Sequence, residues 1–417
     1  VGERNAADVD SVSDLNALAD AVNRLLVAAA GGTPTPALTA AELNALMGIS
    51  SVTPENLASV LAAIAASTDD GSGINSLSSL QTVVATGVSA QTTALNVIGD
   101  YAQNNNGTVP DLATFTTAGV IGLTLSNGST NTVLLAAVNS ALASTPVDNT
   151  DVSTTAAVQA VVDAYALVLA EANGALADAT VNDPAQSVYE TLGVTLGSIS
   201  NTTDFGANGL ALYNDVIGGM SAGQVDTIAE LDAIASVVSR LLQTAAGQTP
   251  SPALTAAELA LIGVTGVTTD NLAAVLAGIT ATANNGSGIA SLSALQGETD
   301  TSVAAFTSAM GVISAYTGSN TVPTDSHYLA AGITGVTTSN VAGLNTFIAP
   351  LSTAATDSAA EVQAIVNTYQ LLLAGADANG TNNNLTLSAA QYQVLGLSNI
   401  DTAAKASLLN DVLDAKP

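Results

Sequence analysis

Residues Leu254–Val275 read LTAAELALIGVTGVTTDNLAAV, and this stretch decides the fold. Thr255-Ala256-Ala257-Glu258 has the form of a capping box, in which the Thr hydroxyl and the Glu carboxylate each satisfy a backbone N–H left unpaired at a helix start. Gly263 then stands where a left-handed C′ residue ends a helix. Beyond it, Leu272, Val275, Leu276 and Ile279 fall at i, i+3, i+4 and i+7, one face of a second helix. An alternating strand would break that spacing.

The same text occurs earlier in the chain. Pro36–Leu43 reads PALTAAEL and so does Pro252–Leu259, 216 residues on. Arg24-Leu25-Leu26 matches Arg240-Leu241-Leu242 at the same offset, and Gly71-Ser72-Gly73-Ile74 matches Gly286-Ser287-Gly288-Ile289 at an offset of 215. Two long copies are therefore present. Within them, six glycines mark a shorter period: Gly48, Gly119, Gly193, Gly263, Gly332 and Gly396, spaced by 71, 74, 70, 69 and 64 residues. Regular spacing of that size implies repeated supersecondary units.

Each unit is read as three helices. The first is short, opened by the capping box at Thr39–Glu42 or Thr255–Glu258 and closed by glycine. The second opens with Thr53 as N-cap and Pro54 at the first helical position, where a missing donor costs nothing, and presents Leu57, Val60, Leu61 and Ile64 on one face. The third and longest carries the stripe Leu15, Leu18, Val22, Leu25 and Leu26, repeated as Leu231, Ile234, Val238, Leu241 and Leu242. Two further versions of it lead to Tyr165 and Tyr369, which are expected to close the core edge. The Pro- and Gly-rich run Gly31–Pro36 is expected to be a surface linker.

The expected architecture is all-α: tandem units of about 70 residues, each too small to bury a full core alone, stacked into a rod or superhelix. The boundaries fall at 1–30 (a partial repeat holding a third helix), 31–98, 99–172, 173–246, 247–314, 315–378 and 379–417 (a partial sixth unit). Thr- and Val-rich stretches such as Gly119–Thr124 are the places where short strands would compete, but helical periodicity and capping agree in the same segments. Val9–Leu26 reads as a third helix without its two partners, and the chain stops near Leu413 after a second helix. Either a longer parent supplies the missing helices, or one chain completes the bundle of the next.

Composition narrows function by exclusion. Five Lys and Arg face 34 Asp and Glu, a formal net charge of −29. Five scattered cations form no phosphate-neutralising stripe, so neither nucleic acid nor an anionic membrane surface is an expected partner. No apolar run reaches the roughly 18 residues of a membrane span. Cysteine is absent, which removes disulfides, thiolate metal sites and cysteine nucleophiles.

No catalytic, cofactor-binding or metal residue is assigned. Asp69-Asp70 is the one adjacent acidic pair, and its counterpart Asn284-Asn285 cannot do acid–base work. The segment Asp69–Gly73 superficially suggests a calcium loop but lacks the alternating oxygen ligands and the terminal bidentate Glu. Weak calcium binding by the acidic surface stays open. His327 is the only histidine, so no imidazole cluster or histidine-dependent triad can form within one chain. The sequons at Asn106 and Asn201 follow from a composition rich in Asn, Ser and Thr.

The consensus LTxxxYxxLGVTGVTxxNLAAV followed by VxxxAELxAIAxxVxRLL is carried by Leu254–Val275, with Leu259 and Ile262 at its Tyr and Leu positions, and by Val225–Leu242. It resembles the helical repeats of very large secreted bacterial surface proteins, of adhesin or biofilm-matrix type. The resemblance implies an extracellular or cell-surface location, partners that are neighbouring repeats or other copies of the chain, and no enzyme activity. Three roles are compatible with it: a stalk or matrix spacer, a subunit that polymerises into a filament or surface layer through incomplete end units, and a host-protein-binding three-helix module.

Overall fold

The computed structural model describes residues 9–67, 71–104, 107–174, 183–196, 206–375 and 385–414. Among them the protein is all-helical: 18 α-helices, and no strand, only isolated bridges such as Thr124 with Thr130. The strand alternative at Gly119–Thr124 therefore fails. The chain divides into two compact units, residues Val1–Leu196 with Ile217–Ala233, and Gly197–Val216 with Ile234–Pro417.

The first unit carries α1 (Val12–Ala29), α2 (Ala40–Met47), α3 (Leu57–Ala65), α4 (Leu77–Asn104), α5 (Leu112–Thr117), α6 (Thr132–Leu142), α7 (Thr155–Glu171) and α8 (Gln186–Thr191). The capping boxes form as the sequence predicts: Thr39 accepts from the Glu42 amide at 3.2 Å and the Glu42 carboxylate accepts from the Thr39 amide at 2.9 Å. Gly48 ends α2 at φ 68°, where any Cβ would be strained. A core of Leu25, Leu43, Met47, Val60, Ile64, Leu80 and Val84 joins α1 to α4. Each such side chain contributes about 1.5–3 kcal/mol by leaving water. Helix α4 crosses α3 at Gly87, where an added Cβ would stand 2.6 Å from the Val60 Cα, so this backbone-to-backbone approach admits only glycine.

Thr53 differs in detail from expectation. The regular helix begins at Leu57, with Pro54–Asn56 a turn. The reason is Asn56: its Oδ1 accepts from the Thr53 amide at 2.8 Å while its own amide reaches the Thr53 hydroxyl at 3.3 Å, which tightens the entry turn. Its Nδ2 donates to the Ser51 carbonyl at 2.9 Å.

Straddling or lying within the second unit are α9 (Gly206–Gly218), α10 (Ile228–Ala245), α11 (Ala256–Leu261), α12 (Leu272–Ala281), α13 (Leu292–Ser314), α14 (Asp325–Ala330), α15 (Val341–Ile348), α16 (Ala359–Gly375), α17 (Ala389–Val394) and α18 (Ala403–Asp414). Thr255 and Glu258 rebuild the capping box, and Thr268 with Asn271 and Thr337 with Asn340 rebuild the entry turn. The core from α12 to α16 contains Phe306, Ile313, Tyr328, Leu344, Ile348, Val366 and Tyr369. The longest helices are α4, with 28 residues, and α13, with 23, rather than the 18-residue α1 and α10 whose stripes the sequence advertises. That stripe behaves differently in its two occurrences. Leu231, Ile234, Val238, Leu241 and Leu242 are all buried, whereas Leu15, Val22 and Leu26 are exposed and only Leu25 among the five is fully covered.

Candidate functional site

The strongest ionic group occurs twice. Arg24 on α1 makes a two-pronged contact with Glu42 on α2, Nη2 to Oε1 at 2.6 Å and Nη1 to Oε2 at 3.2 Å, and its Nη1 also donates to the Ala37 carbonyl at 3.3 Å. Arg240 on α10 repeats the contact with Glu258 on α11 at 2.6 and 3.2 Å, and donates to the Ala253 carbonyl at 3.4 Å. The Arg24 guanidinium, helped by Thr39 and opposed by burial, holds Glu42 down at about 2; Arg240 and Thr255 do the same for Glu258, also about 2. A carboxylate so fully engaged by a cation and two capping donors is an anchor for a helix start. It is unsuited to take a proton from a substrate near neutral pH.

A second repeated group had no visible role in the sequence. The Tyr328 hydroxyl donates to Asn345 Oδ1 at 2.7 Å, and Asn345 Nδ2 donates to the Pro323 carbonyl at 2.7 Å, all buried. Tyr392, Asn410 and Leu387 repeat this at 2.6 and 2.9 Å. In the first unit Asn139 Nδ2 reaches the Pro110 carbonyl at 2.9 Å, but Phe115 occupies the tyrosine position and Asn139 Oδ1 has no partner. At two further positions Leu43 and Leu259 are buried instead, and Leu61 and Leu276 stand where asparagine would, while a third, Tyr189, keeps a buried tyrosine. The tyrosine and the asparagine thus come and go together, Phe115 excepted. Tyrosines so enclosed serve the core; burial pushes the Tyr328 hydroxyl well above its ordinary range.

Carboxylates do meet at two places not singled out from the sequence. Asp357 and Glu361 sit four residues apart across the start of α16, a D-x3-E spacing recognisable in retrospect, with Asp270 near them. The hydrogen bond to Glu361 raises Asp357, and the Ser358 hydroxyl lowers Glu361. Asp226 and Glu230 form a like pair before and within α10, with Asp226 raised chiefly by burial. These groups have helix duties already: Glu361 accepts from Ser358, Glu230 from Thr227, and Asp270 Oδ1 from the Ala359 amide at 2.7 Å. Acidic groups in a first helical turn complement the helix dipole.

A groove in the first unit runs between α4 and α5 and is lined by Ala85, Ser89, Thr93, Val97, Asp111 and Thr114. It holds hydroxyls without a base, since Asp111 is engaged by the Thr114 amide at 2.8 Å and hydroxyl at 2.7 Å. His327 receives the Thr324 amide on Nδ1 at 3.1 Å and takes the place of glutamate in a capping box. Tyr165 is buried with its hydroxyl donating to the Val225 carbonyl at 3.3 Å, and Tyr369 is buried against Phe347, with Gly343 leaving room for its hydroxyl. Asp69-Asp70, Asn106 and Asn201 lie outside the described residues; Asn285 Oδ1 accepts from the Ser287 amide in a turn. Among the described residues no group of three or more His, Asp or Glu is placed to hold a metal, and no helix is long and apolar enough to cross a membrane. No family model, curated protein or solved structure matches the chain.

Proposed function

We propose that this chain is a non-enzymatic structural segment of a secreted bacterial surface protein, built from tandem three-helix units of about 70 residues and acting as a stalk or matrix spacer. The observation that carries this is the duplication of the Arg–Glu–Thr clamp: the bidentate ion pairs of two copies 216 residues apart do the same scaffolding task with the same atoms. Other polar groups, the Thr–Asn entry turns and the Tyr–Asn clamps, are likewise spent on holding helix ends. Among the described residues, the best-placed charges maintain the chain's own backbone.

Small-angle scattering tests the spacer role. A compact 417-residue globule has a radius of gyration of about 22 Å. A clearly larger value with a rod-like distance distribution is expected, and a value near that of the globule overturns the proposal. The host-binding alternative asked for aromatic side chains exposed on one face, and the exposed large apolar residues among those described are Val, Leu and Ile.

A further inference from the structure

Three of the longer helices begin on a bond from an earlier part of the chain. In α10, α13 and α16 a hydroxyl just before the helix takes the amide three residues on: Thr227 that of Glu230 at 3.3 Å, Ser291 that of Ala294 at 3.1 Å, and Ser358 that of Glu361 at 3.3 Å. The amide of the first helical residue is left over, and a helix cannot satisfy it internally. Ser140 Oγ on α6 accepts from Ile228 at 3.0 Å, Asp215 Oδ2 on α9 from Leu292 at 2.5 Å, and Asp270 Oδ1 in the turn before α12 from Ala359 at 2.7 Å, across 88, 77 and 89 residues. Each pair lies inside one compact unit.

In the repeats read from the sequence, α6, α9 and α12 are second helices, and the helix that each one serves is the third of the following repeat. Two of the marker glycines join the same boundary. A Cβ on Gly119 would stand 2.6 Å from the Glu55 carbonyl oxygen, and one on Gly332 would stand 2.7 Å from the Ala274 nitrogen. Both neighbours belong to the second helix of the preceding repeat or the turn that opens it, so these glycines seat one repeat on another as well as ending a helix. Gly266, at φ 81°, has nothing within 4 Å and serves its backbone angle alone.

Buried polar and apolar groups cross the boundary too. Ser59 on α3 donates to the Thr117 carbonyl at the end of α5, and Gln91 Nε2 on α4 reaches the Thr155 hydroxyl at the start of α7 at 2.9 Å. Ala274 of α12 and Phe306, Ala309 and Met310 of α13 lie in one apolar cluster with Leu344 and Val366 of the next repeat.

We propose that these contacts couple consecutive repeats into blocks that open together, each block joining the second helix of one repeat to the helices of the next. The cooperative unit is therefore offset from the unit that the sequence repeats. This rests on the reading of the chain as tandem repeats and is independent of a spacer role. The joints are unequal. Asp215 and Asp270 place a carboxylate at the positive end of a helix, where a charged acceptor holds an amide about twice as strongly as the neutral hydroxyl of Ser140 does, so the α6–α10 joint is the softest of the three.

Native-state hydrogen exchange of the full chain, read by mass spectrometry, decides it. Ile348→Val removes one methyl group from the core under α15 and should speed exchange in α14 to α16 roughly fivefold. Coupled repeats require α12 to accelerate by the same factor. Asp270→Ala should speed exchange roughly tenfold through α14 and α15 as well as at the start of α16, and Asp270→Asn, which keeps an oxygen acceptor, should restore most of the protection. If Ile348→Val accelerates α14 to α16 and leaves α12 unchanged, the repeats exist but open independently, and the proposal is overturned. If it accelerates α15 alone, the helices open one by one, and the tandem-repeat reading fails along with the proposal.

Discussion

Helices α1 and α10 share a sequence stripe, an arginine clamp and a length of 18 residues, yet α10 is buried along the whole stripe while α1 is buried only where α2 to α4 reach it. The periodicity of apolar residues reports which side of a helix wants cover. It cannot report whether the covering element is present. The clamp, in contrast, is identical in both, because Arg24 and Glu42 need only each other and the adjoining linker.

The largest effect that would break this comparison is charge insertion at one equivalent pair. Val238→Asp places a carboxylate at a fully buried site and is expected to cost about 4 kcal/mol or more, unfolding its surroundings, while Val22→Asp stays within about 0.5 kcal/mol in dilute solution. Urea denaturation followed by circular dichroism measures both, and equal costs would mean that α1 is covered after all. Next in size are the arginines. Arg240→Ala should cost about 2 kcal/mol and Arg24→Ala less, since the Arg24 side chain is the more exposed of the two.

The same clamps set an acid limit. Glu42 and Glu258 have folded values near 2, below their ordinary 4.5, so their stabilisation is complete above 4.5 and is lost as pH falls from 4.5 toward 2. Thermal melting of the wild type should therefore decline through that window, and the double variant Arg24→Ala/Arg240→Ala should decline less steeply from a lower plateau. The smallest effect concerns the tyrosine clamps. Phe115→Tyr supplies the hydroxyl that Asn139 Oδ1 lacks and should stabilise by about 1 kcal/mol, whereas Tyr328→Phe should cost about 1–2 kcal/mol by orphaning Asn345. A destabilised Phe115→Tyr would show that the site has no room for the oxygen.

What was legible in the sequence was local. The capping boxes at Thr39 and Thr255 and the glycine stops at Gly48 and Gly263 are set by bonds among residues within a turn or two, and they stand where they were read. The Thr53 entry was read as an N-cap, whereas Asn56 holds that place and Thr53 opens a turn before it, because the role of Asn56 depends on a carbonyl at Ser51 that only the folded loop brings close. The Tyr–Asn clamps joined residues 17 and 18 positions apart and were invisible without the crossing of their helices. The pairing of Asp357 with Glu361 is written in a four-residue spacing, which adjacency of acids along the chain does not reveal.

The clamps have one further consequence, for attack by proteases. Among the described residues the only Lys and Arg are Arg24, Arg240 and Lys405. A protease that cuts after basic residues finds both arginines pinned by their glutamates, with side chains 14 and 8% exposed, and has one open target, Lys405 at 51%. The ion pairs that fix the helix starts therefore also withdraw both described arginines from digestion.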